Sequence, residues 1–120
     1  MQRNWETIRE ILMEAEALPP DEMLRLSDFE EVRAHEISYH VELLDEAGLI
    51  KANLSRSLGR GPVDFHLRRL TWQGHEFADA IKSDNIWAKT KTKISERGGA
   101  MTFEIVKSVA VGIAKSYVGL

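Results

Sequence analysis

The stretch from Glu36 to Ile50, Glu-Ile-Ser-Tyr-His-Val-Glu-Leu-Leu-Asp-Glu-Ala-Gly-Leu-Ile, constrains the fold more than any other part of the chain. At ~100° per residue, Ile37, Val41 and Leu44 stack on one side of a helix, flanked by Ala34, Leu43 and Ala47. Gly48 stands where a left-handed C-cap belongs, because only glycine adopts that backbone shape without a side-chain penalty. Leu49 and Ile50 open a new apolar run at once. A helix, a glycine stop and an immediate strand is the layout of a helix running into a β-hairpin.

The flanking segments fit that centre. Trp5, Ile8, Leu12 and Ala15 recur at helical spacing with Ile11 beside them, which predicts a helix over 4–17. Pro19-Pro20 ends it, since the residue before a proline is pushed out of the α region. Met23 to Leu26 reads as a short edge strand. Only ten residues separate Leu26 from Ile37, with no glycine among them. A scaffold helix there is therefore reduced to a turn around Asp28 to Val32, or absorbed into one longer helix, with Ser27 or Asp28 as its start.

Leu49 to Leu54 and Phe65 to Leu70 form the predicted hairpin, joined by a loop over 55–64 that holds Gly59, Gly61 and Pro62. Thr71 suits the N-cap of the next helix, although Gly74 occupies the position where a capping box wants Glu. Phe77, Ala80 and Ile81 give that helix a buried side. Ser83 or Asp84 recaps a further segment in which Ile86, Trp87, Thr90 and Ile94 are apolar-facing and Lys82, Lys89, Lys91, Lys93 and Arg97 are exposed. Gly98-Gly99 breaks the chain before a last helix from about Met101 to Val118. Its apolar flank (Phe103, Val106, Val109, Ala110, Ile113, Tyr117) is widened by Ile105 and Ala114 to roughly half the circumference. Such a face packs on the first helix or on a second copy of itself.

Tyr39-His-Val-Glu-Leu-Leu-Asp-Glu-Ala-Gly-Leu-Ile50 resembles the end of the recognition helix and the first wing strand of bacterial winged-helix regulators. Arg3-Asn-Trp-Glu-Thr-Ile-Arg-Glu-Ile-Leu12, Glu36-Ile-Ser-Tyr-His40, Leu70-Thr-Trp-Gln-Gly-His-Glu-Phe77 and the Gly98-Gly99 break carry a wider similarity. Through them nearly the whole chain resembles the domain-of-unknown-function family twenty-five thirteen, small proteins of bacteria and their phages. Together these imply a mainly α fold with a small antiparallel β-hairpin or sheet (α+β), winged-helix-like over 1–97. A C-terminal amphipathic helix over 98–120 then packs on that domain or on a dimer partner. In winged-helix proteins, helices added outside the wing commonly build the dimer, so the resemblance implies a homodimer through this helix.

Composition bounds the function. The chain has 120 residues, enough for one domain with its own core. It has no cysteine, which excludes disulfides and thiolate metal sites and is compatible with a reducing cytoplasm. No basic-then-apolar leader opens it, and no run approaches the ~18 apolar residues a membrane span needs. The expected location is the cytoplasm, without membrane contact. The net charge of −3 conceals a polarity. Residues 1–48 hold four Arg/Lys against thirteen Asp/Glu, whereas residues 49–120 hold twelve against six. Such asymmetry points either to a binding surface in one half or to mutual attraction of the halves.

No arrangement of side chains points to catalysis, and no cofactor is implied. His35-Glu36 with His40 evokes a zinc helix, but that motif puts its histidines at i and i+4. Here they are five apart, about 140° around the helix, so His40 is expected to bond a backbone carbonyl instead. The expectation is therefore a binding protein, with double-stranded DNA as partner. His35, Ser38 and Tyr39 point outward near the start of the central helix, where winged-helix proteins place base-contacting side chains. Lys51, Arg56, Arg60 and Arg68 decorate the hairpin, where they would neutralise phosphates. Glu36, Glu42, Asp45 and Glu46 on the same helix oppose this, because carboxylates repel phosphates. The competing expectation is a module on the same scaffold that binds an unidentified protein, with no DNA binding.

Overall fold

The computed structural model describes residues 1–56 and 59–119; Ser57 and Leu58 of the predicted hairpin loop, and Leu120, lie outside the described residues. The elements are α1 (Trp5–Glu16), β1 (Leu24–Arg25), two 3-10 turns (Leu26–Asp28 and Glu31–Arg33), α2 (Ala34–Glu46), β2 (Ile50–Ser55), β3 (Asp64–Leu70), α3 (Trp72–Ile81), α4 (Asp84–Glu96) and α5 (Phe103–Tyr117). The class is α+β, as expected. Three antiparallel strands form one sheet in the order β1-β3-β2.

Residues 1–75 make the first of two compact units. Asn4 caps α1, its side chain accepting the backbone N–H groups of Glu6 and Thr7, which satisfies donors that a helix start leaves orphaned. The stripe Ile8, Ile11, Leu12 and Ala15 is buried against α2 and β3. Ile37, Val41 and Leu44 of α2 meet it, with Ile50, Phe65, Leu67 and Leu70 from the inner face of the sheet. Each such side chain contributes roughly 1.5–3 kcal/mol by leaving water.

The scaffold segment before α2 is reduced to the two 3-10 turns. Asp28 holds the first, accepting the Arg25 backbone N–H at 2.8 Å. At the other end of α2 the glycine stop forms as predicted. Gly48 has φ +74°, its N–H donates to the Asp45 carbonyl at 3.0 Å, and Leu49 N–H donates to the Leu44 carbonyl at 3.0 Å. These two bonds close a Schellman motif and aim the chain straight into β2.

Residues 76–120 make the second unit. Ser83 caps α4, Thr102 caps α5, and Gly98 at φ +67° repeats the glycine stop between them. Within this unit α5 pairs with α4, and the Phe103 ring centroid lies 4.8 Å from that of Phe77. On α5 only Val106 and Ala110 are fully buried, so much of its broad apolar flank stays half-covered. The lysine row of α4 lies partly over aromatic faces, with Lys89 above Tyr117 and Lys91 above Trp87. These lysines shield rings as well as carrying charge. No helix among the described residues is long and apolar enough to cross a membrane.

Candidate functional site

The start of α2 is anchored from beneath. Its N-cap residue, Arg33, makes no side-chain cap bond. Instead the Arg33 guanidinium spans two carboxylates, reaching Glu10 of α1 at 2.7 and 2.9 Å and Glu36 at 2.9 and 3.3 Å. Thr7 adds a hydroxyl bond to Glu36 at 2.7 Å. One turn on, His40 accepts the Asn4 backbone N–H on Nε2 at 2.8 Å and contacts the Glu36 carbonyl through Nδ1 at 2.7 Å. Because Nε2 accepts, the ring hydrogen sits on Nδ1 and donates to that carbonyl. His40 is thus the carbonyl-bonded histidine the sequence predicts, and both of its nitrogens are committed to the backbone.

Hydrogen bonds from Arg33 and then Thr7 hold the Glu36 carboxyl down to about 2, against the smaller opposing effect of burial. The same bonds, first from Glu10 and then from Glu36, push the Arg33 guanidinium further up. A carboxyl depressed in the folded state stabilises the protein above its unfolded value near 4.5, and that contribution is lost as pH falls towards 2. We expect wild type to be more stable than Glu36→Gln at pH 7. Thermal melts across pH 7 to 2 should show the two curves converging over that window. Parallel curves would sink the assignment.

The predicted contact residues divide. His35 is exposed and Tyr39 half-buried, its ring edge-on to His40 at 5.5 Å. Ser38 does not point outward. It is 3% exposed, and its hydroxyl donates to the His35 carbonyl at 3.3 Å. The buried arc of α2 is wider than the Ile37-Val41-Leu44 stripe, and a serine tolerates cover because its hydroxyl can bond its own helix. Lys51, Arg60 and Arg68 are exposed, as expected. Arg56 is exposed too, but it is engaged in an ion pair with Glu42.

The carboxylates that oppose anion binding on α2 are also partly dealt with. Glu36 is turned inward to Arg33 and Thr7, and Glu42 is 17% exposed under Arg56. Asp45 is half-buried and Glu46 exposed.

The open face of the sheet carries more cations than the sequence reading assigned. Arg25 and Arg69 join Lys51 and Arg68 there, with the His66 side chain between them in register with Arg25. Strict alternation from Leu67 would send Arg69 inward; only the interval Phe65, Leu67, Leu70, two residues and then three, betrays otherwise. Beside this face, a cleft of about 600 Å³ lies between the 3-10 turns, the start of α2 and the hairpin. Phe29 and Leu26 line it with Arg25, Asp64 and His66, so its charge is mixed.

Fold and site together define a small α+β protein whose three-stranded sheet turns one apolar face to two helices and one cationic face to solvent. The chain belongs to the family described as Hypothetical protein (DUF2513), whose model matches residues 2–100. It is 38% identical over 111 residues to an uncharacterized protein of Haemophilus influenzae, an alignment covering 92% of each chain. No solved structure matches it.

Proposed function

We propose that this protein is a small winged-helix-like nucleic-acid-binding protein, acting as a regulator of phage or host genes without catalysis. The element order supports the likeness, with a helix, an edge strand, a second helix and a hairpin whose strands join the first in the order β1-β3-β2. One observation carries the reading. Lys51, Arg60 and Arg68 stand exposed on the hairpin with no carboxylate partner among the described residues, while Arg33 and Arg56 take up Glu36 and Glu42. Free cations on a projecting ribbon neutralise phosphates, and the displaced counterions make affinity fall with salt.

Titration of duplex DNA at 50 and 200 mM salt tests this. Affinity should fall by at least tenfold between the two, since several phosphates are engaged. Folded protein that binds no duplex at the lower salt would refute the reading. In the same reading α5 pairs with a second copy, supported by its half-covered flank and by Ile105 at 39% exposure. A monomeric mass in solution would count against that pairing. The second reading, a module that binds protein, is favoured by the reduction of the scaffold segment to two 3-10 turns and by Asp45 and Glu46, carboxylates that α2 keeps at its surface. Retention of a specific protein by Lys51→Ala/Arg68→Ala, with DNA ignored by wild type, would favour it.

A further inference from the structure

The register of the sheet contains one irregularity. Lys51 pairs with Arg69 and the next residue, Ala52, pairs with Leu67, so Arg68 has no partner of its own. Arg68 and Arg69 therefore both oppose Lys51, which is the arrangement of a β-bulge. Along a regular strand two consecutive residues point to opposite faces, and one of these arginines would enter the core. Here Leu67 and Leu70 on either side are buried while Arg68 and Arg69 are both exposed. The bulge turns a sequence alternation into a cluster of three cations on one face.

That cluster is unfavourable as it stands. Lys51 and Arg69 are directly opposite one another, and like charges in that relation destabilise a sheet. Among the described residues no carboxylate is paired with Lys51, Arg68 or Arg69. Arg69 is held in place, its Nη1 donating to the Leu70 carbonyl at 3.0 Å, which leaves the rest of its planar donor fork for an outside acceptor. Three residues along β3, at His66, Arg25 of the paired strand β1 carries the basic strip about 10 Å further. A strip of that length exceeds a single phosphate group and suits a chain of them.

We propose that the β-bulge builds a phosphate-binding patch from Lys51, Arg68 and Arg69, and that it holds the phosphodiester backbone of a nucleic acid across the open face of the sheet. The inference rests on the nucleic-acid reading above and adds the contact surface and its mode. The patch grips backbone and is indifferent to base sequence.

The test uses the full chain and two duplexes of unrelated sequence. Lys51→Ala, Arg68→Ala and Arg69→Ala each lower affinity about threefold to tenfold on both duplexes, and each reduces the salt slope by about one. Melting temperature stays at or above that of wild type, because a like-charge contact has been removed. Lys115→Ala, which deletes an equal charge on α5, leaves affinity and slope unchanged. Salt-dependent binding by wild type with the three variants indistinguishable from it would overturn the patch and leave the nucleic-acid reading standing. Losses confined to one duplex would overturn the backbone mode. Failure of wild type to bind either duplex, with or without retention on anionic phospholipid vesicles, would overturn both.

Discussion

Gly74→Ala should lower the stability of this protein by about 3 kcal/mol or more, well above the usual effect of adding one methyl group. A β-carbon at Gly74 would lie 1.9 Å from the Leu49 carbonyl oxygen and 2.9 Å from its carbonyl carbon. Neither is the end of a flexible side chain that can swing aside. The Leu49 carbonyl is itself fixed, since it accepts the Thr71 backbone N–H at 3.0 Å. The Thr71 hydroxyl donates to the Gly48 carbonyl at 2.6 Å and accepts the Gly74 N–H at 3.0 Å. The first turn of α3 is thus bolted onto the glycine stop after α2, and Gly74 is the point of closest approach. Any side chain there must part the two. A fall of roughly 10 °C or more in melting temperature follows for a chain of this size. Gly112→Ala provides the contrast. It lies within α5 with nothing within 4 Å of the added carbon, so ordinary helix propensity should make it stabilising by about 0.5–1 kcal/mol. Thermal and urea unfolding of both variants would check this, and a Gly74→Ala protein that melts with wild type would disprove the account.

The second large effect is expected at His40, which is 1% exposed and ties α2 to the start of α1. His40→Ala opens a cavity and leaves the Asn4 N–H without its acceptor, together costing about 3 kcal/mol. His40→Leu separates the two contributions. It fills most of the space but accepts no hydrogen bond, so about 1–3 kcal/mol of loss should persist. Chemical denaturation of both variants measures the difference. Should His40→Leu prove as stable as wild type, the hydrogen bonds are dispensable and the histidine serves only as packing volume.

Both predictions concern residues that the sequence makes visible without showing their purpose. Gly74 reads as a failed capping box, because local rules ask for glutamate three residues after Thr71. The tertiary contact overrides that preference, since backbone-to-backbone approach admits no side chain at all. His40 reads as a metal-ligand suspect and then as a buried histidine, and the second reading holds. Its partner Asn4, thirty-six positions away, has no signature in the sequence. Glu36 is the opposite case. As sequence it is a free carboxylate on the face offered to a polyanion, yet Arg33, Glu10 and Thr7 draw it inward. Ser38 went the same way, from a predicted contact to a covered residue.

By itself the sequence determined the elements and most of the core. Helical and alternating periodicity, two prolines and the Gly48 and Gly98 stops specify where each helix and strand begins and ends, because those signals act within a few residues. The α+β class follows from them. Only the tertiary structure decided which charges are free. The pairing of Arg33 with Glu10, of Arg56 with Glu42, and the single extra residue that brings Arg69 to the surface all depend on elements distant in the chain. Charge acts through space rather than along the chain, so the surface that defines a partner exists only once the strands have found their register.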